Sequence, residues 1–141
     1  MKVRLAVLAD AANVSREGKM NILGQFDVIY SEAVPAHWPL MHLVIRLEAT
    51  AGEGRKHKVG IRIVDEDGNL AGPMIDAEGE FGPPFQVGAP SSATMILGIG
   101  GATFQKHGTY CFEILVDGHN VDSIPLHVLP RPPQAHAAKT Q

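Results

Sequence analysis

The chain has 141 residues, 45% hydrophobic and 19% charged, with a formal net charge of −3. That length fits one domain with a real core, in which roughly 70% of the unfolded surface is buried on folding. Arg55-Lys56-His57-Lys58 is the only basic block, and it is too short for a nucleic-acid face, which needs clustered positive charge.

The 15 glycines and 10 prolines suit an all-β chain with many turns. After Arg4 the apolar run is about five residues, short of the roughly 7–15 of a signal-peptide core. Residues 2–9 read instead as a first strand, with Val3, Leu5 and Val7 on one face. A polar connection leads to a second strand, 20–30. Its internal Gly24 marks a bulge or a close backbone approach. Residues 31–39 hold Pro35 and Pro39, exclude a central strand, and read as a crossover of the Greek-key kind.

Residues 40–49 set Met41, Leu43, Ile45 and Leu47 against His42, Arg46 and Glu48. Residues 57–65 set Val59, Ile61 and Ile63 against Lys58, Gly60 and Arg62. The two read as a hairpin, with Arg62 facing either Glu48 or Arg46. A turn at 66–69 precedes a weaker strand, 70–80, broken by Gly72-Pro73. Residues 81–90 form a long Pro- and Gly-rich loop, 92–99 a strand, and 100–107 a return to the last hairpin. There Tyr110, Phe112, Ile114 and Val116 share a face, Asp117-Gly118 turns the chain, and Ile124, Leu126 and Val128 resume the alternation. Pro125 lacks an N–H, so its strand lies at an edge or turns that position outward.

The expected fold is all-β: a single antiparallel β-sandwich of about seven or eight strands, Ig-like or jelly-roll-like, over residues 1–129. Residues 130–141, with Pro130, Pro132 and Pro133, read as a disordered tail. No apolar stretch approaches the roughly 20 residues of a membrane helix, so the expected setting is soluble and cytoplasmic, without membrane contact.

Chemistry is thinly marked. A lone Cys111 excludes an internal disulfide and multi-Cys zinc, and it falls out of phase with the buried face. Asp65-Glu-Asp-Gly-Asn69 is rich in oxygen, but an EF-hand counted from Asp65 finds Leu70 and Asp76 where glycine and glutamate belong. A hairpin turn is the first reading there, and a metal site the second. The candidate metal ligands are Asp65, Asp67, His107 and His119, which converge only if their loops share one end. Gly98-Ile-Gly-Gly101 lacks the dinucleotide spacing, and no nucleophile elbow appears. No catalytic residues and no cofactor follow. Trp38 either plugs one end of the sandwich or offers an aromatic platform with Tyr30. Val44, Val64, Ile96 and Leu115 fall on nominal outer faces. Clustered, they make a surface for a partner or for self-association.

Ala12-Asn-Val14, Gly18-Lys-Met-Asn-Ile-Leu-Gly-Gln-Phe-Asp27, Leu43-Val-Ile-Arg-Leu-Glu48, Val64-Asp-Glu-Asp-Gly68 and Gly108-Thr-Tyr-Cys-Phe-Glu-Ile-Leu-Val-Asp-Gly118 together resemble a family of small bacterial and archaeal proteins classed as a domain of unknown function. Pro125-Leu-His-Val128 extends the resemblance, which spans about residues 2–128. It implies a compact β-sandwich and carries no activity or site residues with it. In that signature Asn13 and Asn21 are expected to bond turn backbones. The function read from the chain is a non-enzymatic binding or assembly module. The alternative is a small-ligand or metal-binding protein, or an enzyme, built on loops at one end.

Overall fold

Met41, Leu43, Ile45 and Leu47 are fully buried, as are Ile61, Phe112, Ile114 and Leu126. These period-two faces meet in the middle of a two-layer sandwich. The computed structural model describes residues 1–132, which form nine strands and one short 3-10 turn. The strands are β1 (Lys2–Val14), β2 (Met20–Phe26), β3 (Val28–Ser31), β4 (Ala36–Ala49), β5 (Lys56–Val64), β6 (Ile75–Glu80), β7 (Ser91–Phe104), β8 (Gly108–Val116) and β9 (His119–Pro130). One sheet has the order β2-β1-β4-β7 and the other β3-β9-β8-β5-β6. Pro130 closes β9, and residues 133–141 of the expected tail lie outside the described residues.

The first sheet is antiparallel throughout, but the second is mixed, because β3 runs parallel to β9. The expected strand 20–30 is in fact two. Asp27 alone separates β2 from β3, and there the chain leaves one sheet and joins the other. The Asp27 carbonyl accepts from His127 N–H at 2.8 Å, which starts the parallel ladder.

Residues 40–49 and 57–65 are not a hairpin. β4 and β5 belong to different sheets, linked by the Ala51–Glu53 turn. From Met41 to Leu47 in β4 and from Val59 to Ile63 in β5 one face is apolar, and packing those faces against each other buries both. Arg62 therefore meets neither Glu48 nor Arg46. It pairs with Glu113 (Nε to Oε1, 2.7 Å), while Arg46 donates to Thr94 and Ser92 hydroxyls.

Pro39 also departs from expectation, since β4 lies between β1 and β7. The ladder to β7 breaks at Pro39 alone: Trp38 and Leu40 pair with Ala102 and Gly100, and Pro39 holds no partner, so the proline costs one rung without ending the strand. Pro125 keeps its place opposite Cys111, and β3 pairs with β9 only from His127 onward, so no ladder bond is lost there. In β1 a bulge between Val3 and Leu5 reverses the phase. Val3, Ala6 and Leu8 face the core, and Leu5 and Val7 face outward.

Gly24 is a close approach. Its φ is +71°, and a Cβ there would lie 3.1 Å from Asp10 Cβ and collide with the Asp10 carboxylate. Gly24→Ala is expected to lower unfolding free energy by about 1–2 kcal/mol from the left-handed backbone alone. Urea denaturation measures it, and an unchanged midpoint would show that β2 shifts freely.

Candidate functional site

Two sheets have four edges: β2 and β7 in one, β3 and β6 in the other. Exposed edges invite foreign strands, and proteins blunt them with charge, kinks or brevity. β6 carries Asp76, Glu78 and Glu80. β3 has 4 residues. β2 has 7 residues. β7 has 14 residues, none charged and none proline.

In an antiparallel ladder every second residue turns both backbone groups to the same side. The Ser92 carbonyl accepts from Gly82 N–H at 3.2 Å, on the side away from β4. Thr94, Ile96, Gly98 and Gly100 share that orientation. Among the described residues nothing hydrogen-bonds their outward N–H or C=O groups.

The sheets part beside the second half of β7. Ile63, Ala71, Pro73 and Ile75 on one side, with Ile99 and Phe104 on the other, line a cleft of about 440 Å³. No lining residue is charged, and Thr103 and Gln105 supply its polar side chains. At the opposite end of the same edge stands the loop before β7. Phe81 is fully buried, and Arg55 pins its carbonyl with an Nε–H bond of 2.9 Å. Phe85 and Val87 of the same loop are 83% and 101% exposed. Leu70 and Met74, in the connection bordering the cleft, are half-exposed.

The four expected metal ligands do not assemble. Asp65 and Asp67 follow β5 and lie near His107, just before β8. His119 opens β9 at the far end of the sandwich, so the shared-end condition fails. Asp65 Oδ1 accepts from the N–H groups of Asp67 (2.9 Å) and Asn69 (3.0 Å), as a turn carboxylate does. Asp67 pairs with Lys106 at 3.4 Å, and His107 Nε2 reaches the Ser31 carbonyl at 3.0 Å. Asn13 and Asn21 bond each other at 2.9 Å across β1 and β2, rather than turn backbones.

The outer-face residues split into two pairs. Val44 and Ile96 adjoin on the first sheet, in one row with Val7. Val44 is fully covered by its neighbours. Val64 and Leu115 lie on the other sheet, with the Arg62–Glu113 pair between them. Cys111 is half-buried on that face, opposite Val64 and Pro125. Trp38 packs against the core rim with its ring 6.1 Å from that of Phe26. Of the expected partner residues, only Ile96 belongs to the free edge.

A second constellation went unread in the sequence. His57 is 8% exposed, and its Nδ1 lies 2.7 Å from Asp117 Oδ2 and its Nε2 3.1 Å from the Gly54 carbonyl. Both partners are acceptors while Asp117 is ionised, so the arrangement favours the ring protonated on both nitrogens. Asp117 raises the His57 pKa, and His57 lowers that of Asp117. The ring has no free nitrogen for chemistry, so this pair fastens loops together. Among the described residues no helix is long and apolar enough to cross a membrane.

No curated protein matches this chain. The model of a family of unknown function, DUF6941, matches residues 4–129, and the chain belongs to that family.

Proposed function

We propose that this member of DUF6941 is a non-enzymatic binding or assembly module that takes an extended strand along β7. The observation that carries the reading is the long, uncharged β7 edge with unpaired backbone groups beside an apolar cleft. Strand addition uses those features: main-chain bonds supply affinity, and alternate side chains fill pockets.

An immunoglobulin-like reading of the fold supports it. The β1-β4-β7 order corresponds to strands A, B and E, and β9-β8-β5-β6 to G, F, C and C′. Tyr110, near the start of β8, donates its hydroxyl to the Lys106 carbonyl at 2.7 Å, in the manner of a tyrosine corner. In that scheme strand D would pair with β7, and residues 81–90 supply no strand there. An incoming strand would take the place of D.

Amide hydrogen exchange tests this on protein purified gently from its host and on recombinant protein at high dilution. Thr94, Ile96, Gly98 and Gly100 amides are expected to exchange slowly in the first and rapidly in the second. Neighbouring odd-numbered amides, which face β4, stay slow in both. Rapid exchange at all four in the host material would overturn the reading.

A further inference from the structure

We infer that the strand docked on β7 is β7 of a second copy, running antiparallel about a two-fold axis near Leu97. This rests on the edge-binding reading above and names its partner.

The edge is self-complementary. The groups facing outward belong to Thr94, Ile96, Gly98 and Gly100, and a two-fold at Leu97 sets Thr94 opposite Gly100 and Ile96 opposite Gly98 of the other copy. Each outward N–H then meets a carbonyl. The same operation carries Ser92, with the loop bonded to it through Gly82, to the neighbourhood of the other copy's Ala102. Ala102 lines the apolar cleft. The protruding Phe85 and Val87 of one copy therefore arrive at the cleft of the other, and the exchange occurs twice, as an isologous interface requires.

Charge does not oppose it. β7 brings no like charges to the axis. On the neighbouring β6, Glu78 and Glu80 lie opposite Lys58 and Lys56 of β5. Area is also sufficient in kind. Two phenylalanines bury roughly 300–500 Å² at about 150–250 Å² each. The strand pair, Val87, Leu70 and the cleft walls add to this, toward the roughly 1,200–2,000 Å² of a stable interface. The product is one continuous sheet, with β7 of each copy at its centre and β2 at both ends.

Two variants test it in recombinant protein, read by native mass spectrometry and light scattering over a dilution series. Neither Gly98 nor Gly100 has a positive φ, and a Cβ on each meets ordinary contacts at 3.8–3.9 Å, so Gly98→Lys with Gly100→Lys folds without strain. It places lysines on both sides of the axis, a natural edge guard. Phe85→Ser with Val87→Ser changes only exposed side chains and leaves the melting temperature unchanged. The unmodified protein is expected to show twice the chain mass, and each variant to weaken the dimer at least about tenfold. A dimer indifferent to both variants would place the contact elsewhere and overturn the inference. A single-chain mass throughout would also overturn it. In that case slow β7 amides in host-purified material would leave the edge-binding reading standing, and fast ones would remove both.

Discussion

Phe81→Ala is expected to destabilise the protein by about 3–5 kcal/mol, the cost of emptying a fully packed phenylalanine site. Phe81 is 0% exposed and belongs to the central core, although it lies in a Pro- and Gly-rich loop. Its ring meets His57 edge-on at 5.2 Å. Its N–H donates to the Arg55 carbonyl at 2.7 Å, and its own carbonyl accepts from Arg55 Nε–H at 2.9 Å. With the backbone pinned on both sides, the cavity cannot collapse cheaply. Phe85, four positions on, provides the contrast. It is largely in solvent, and Phe85→Ser should change stability by no more than about 0.5 kcal/mol. Urea midpoints at constant m-value measure both. Equal effects would mean that the loop is not anchored as described. The anchor matters beyond stability, because Gly82 follows directly and holds the loop to Ser92. A protein lacking Phe81 should therefore also pair less well along β7.

The inward faces were legible because strand side chains alternate and these strands are stiff and apolar on one side. Met41 to Leu47, Val59 to Ile63 and Tyr110 to Val116 all lie where that rule puts them. The phase of β1 was not legible, since a bulge at Arg4 leaves no trace in composition. Sheet membership was hidden for a different reason. Two apolar faces are buried equally well by pairing edge to edge or by packing face to face, and only the whole strand order decides. The parallel β3 hung on a single residue, Asp27, as the point of crossing.

The candidate site was hidden by the same gap. The absence of charge from residue 91 to 104 is plain in the sequence. It becomes an unguarded edge only once β4 is known to be the sole neighbour of β7. Phe81 and Phe85 look alike in their loop, yet one is buried and the other protrudes. Asp65 and His119 looked like partners until the strand directions put them at opposite ends.

Asp117→Ala should remove both side-chain bonds that tie the β8–β9 turn to β5 and leave the buried His57 ring short of a partner. Asp117 Oδ2 accepts from His57 Nδ1–H at 2.7 Å, and its Oδ1 accepts from Lys58 N–H at 2.9 Å. Leaving His57 short of an acceptor costs about 1–3 kcal/mol. The residue also sits at φ 51°, where Asp and Asn are tolerated and Ala adds about 1 kcal/mol or more. Asp117→Asn keeps the turn but removes the charge and replaces one of the two accepting oxygens with an NH2 donor, and solvent around the half-exposed carboxylate limits what the charge itself contributes.

The pH dependence follows from the directions of the two shifts. Asp117 bonding raises the His57 pKa above its ordinary 6.5, with the Gly54 carbonyl and the nearby Glu53 adding to it. This contribution is complete below pH 6.5 and is lost as pH rises through the folded value. Asp117 is shifted down from 3.8, chiefly by His57 and then by Lys58 N–H, with His119 adding to it. Its contribution is complete above 3.8 and is lost as pH falls through the lowered value. The pair is therefore strongest between these limits. Urea midpoints taken from about pH 5 to pH 9 should fall above pH 6.5 in the unmodified protein and much less in Asp117→Asn. Parallel curves for the two proteins would show that His57 is not held protonated by Asp117.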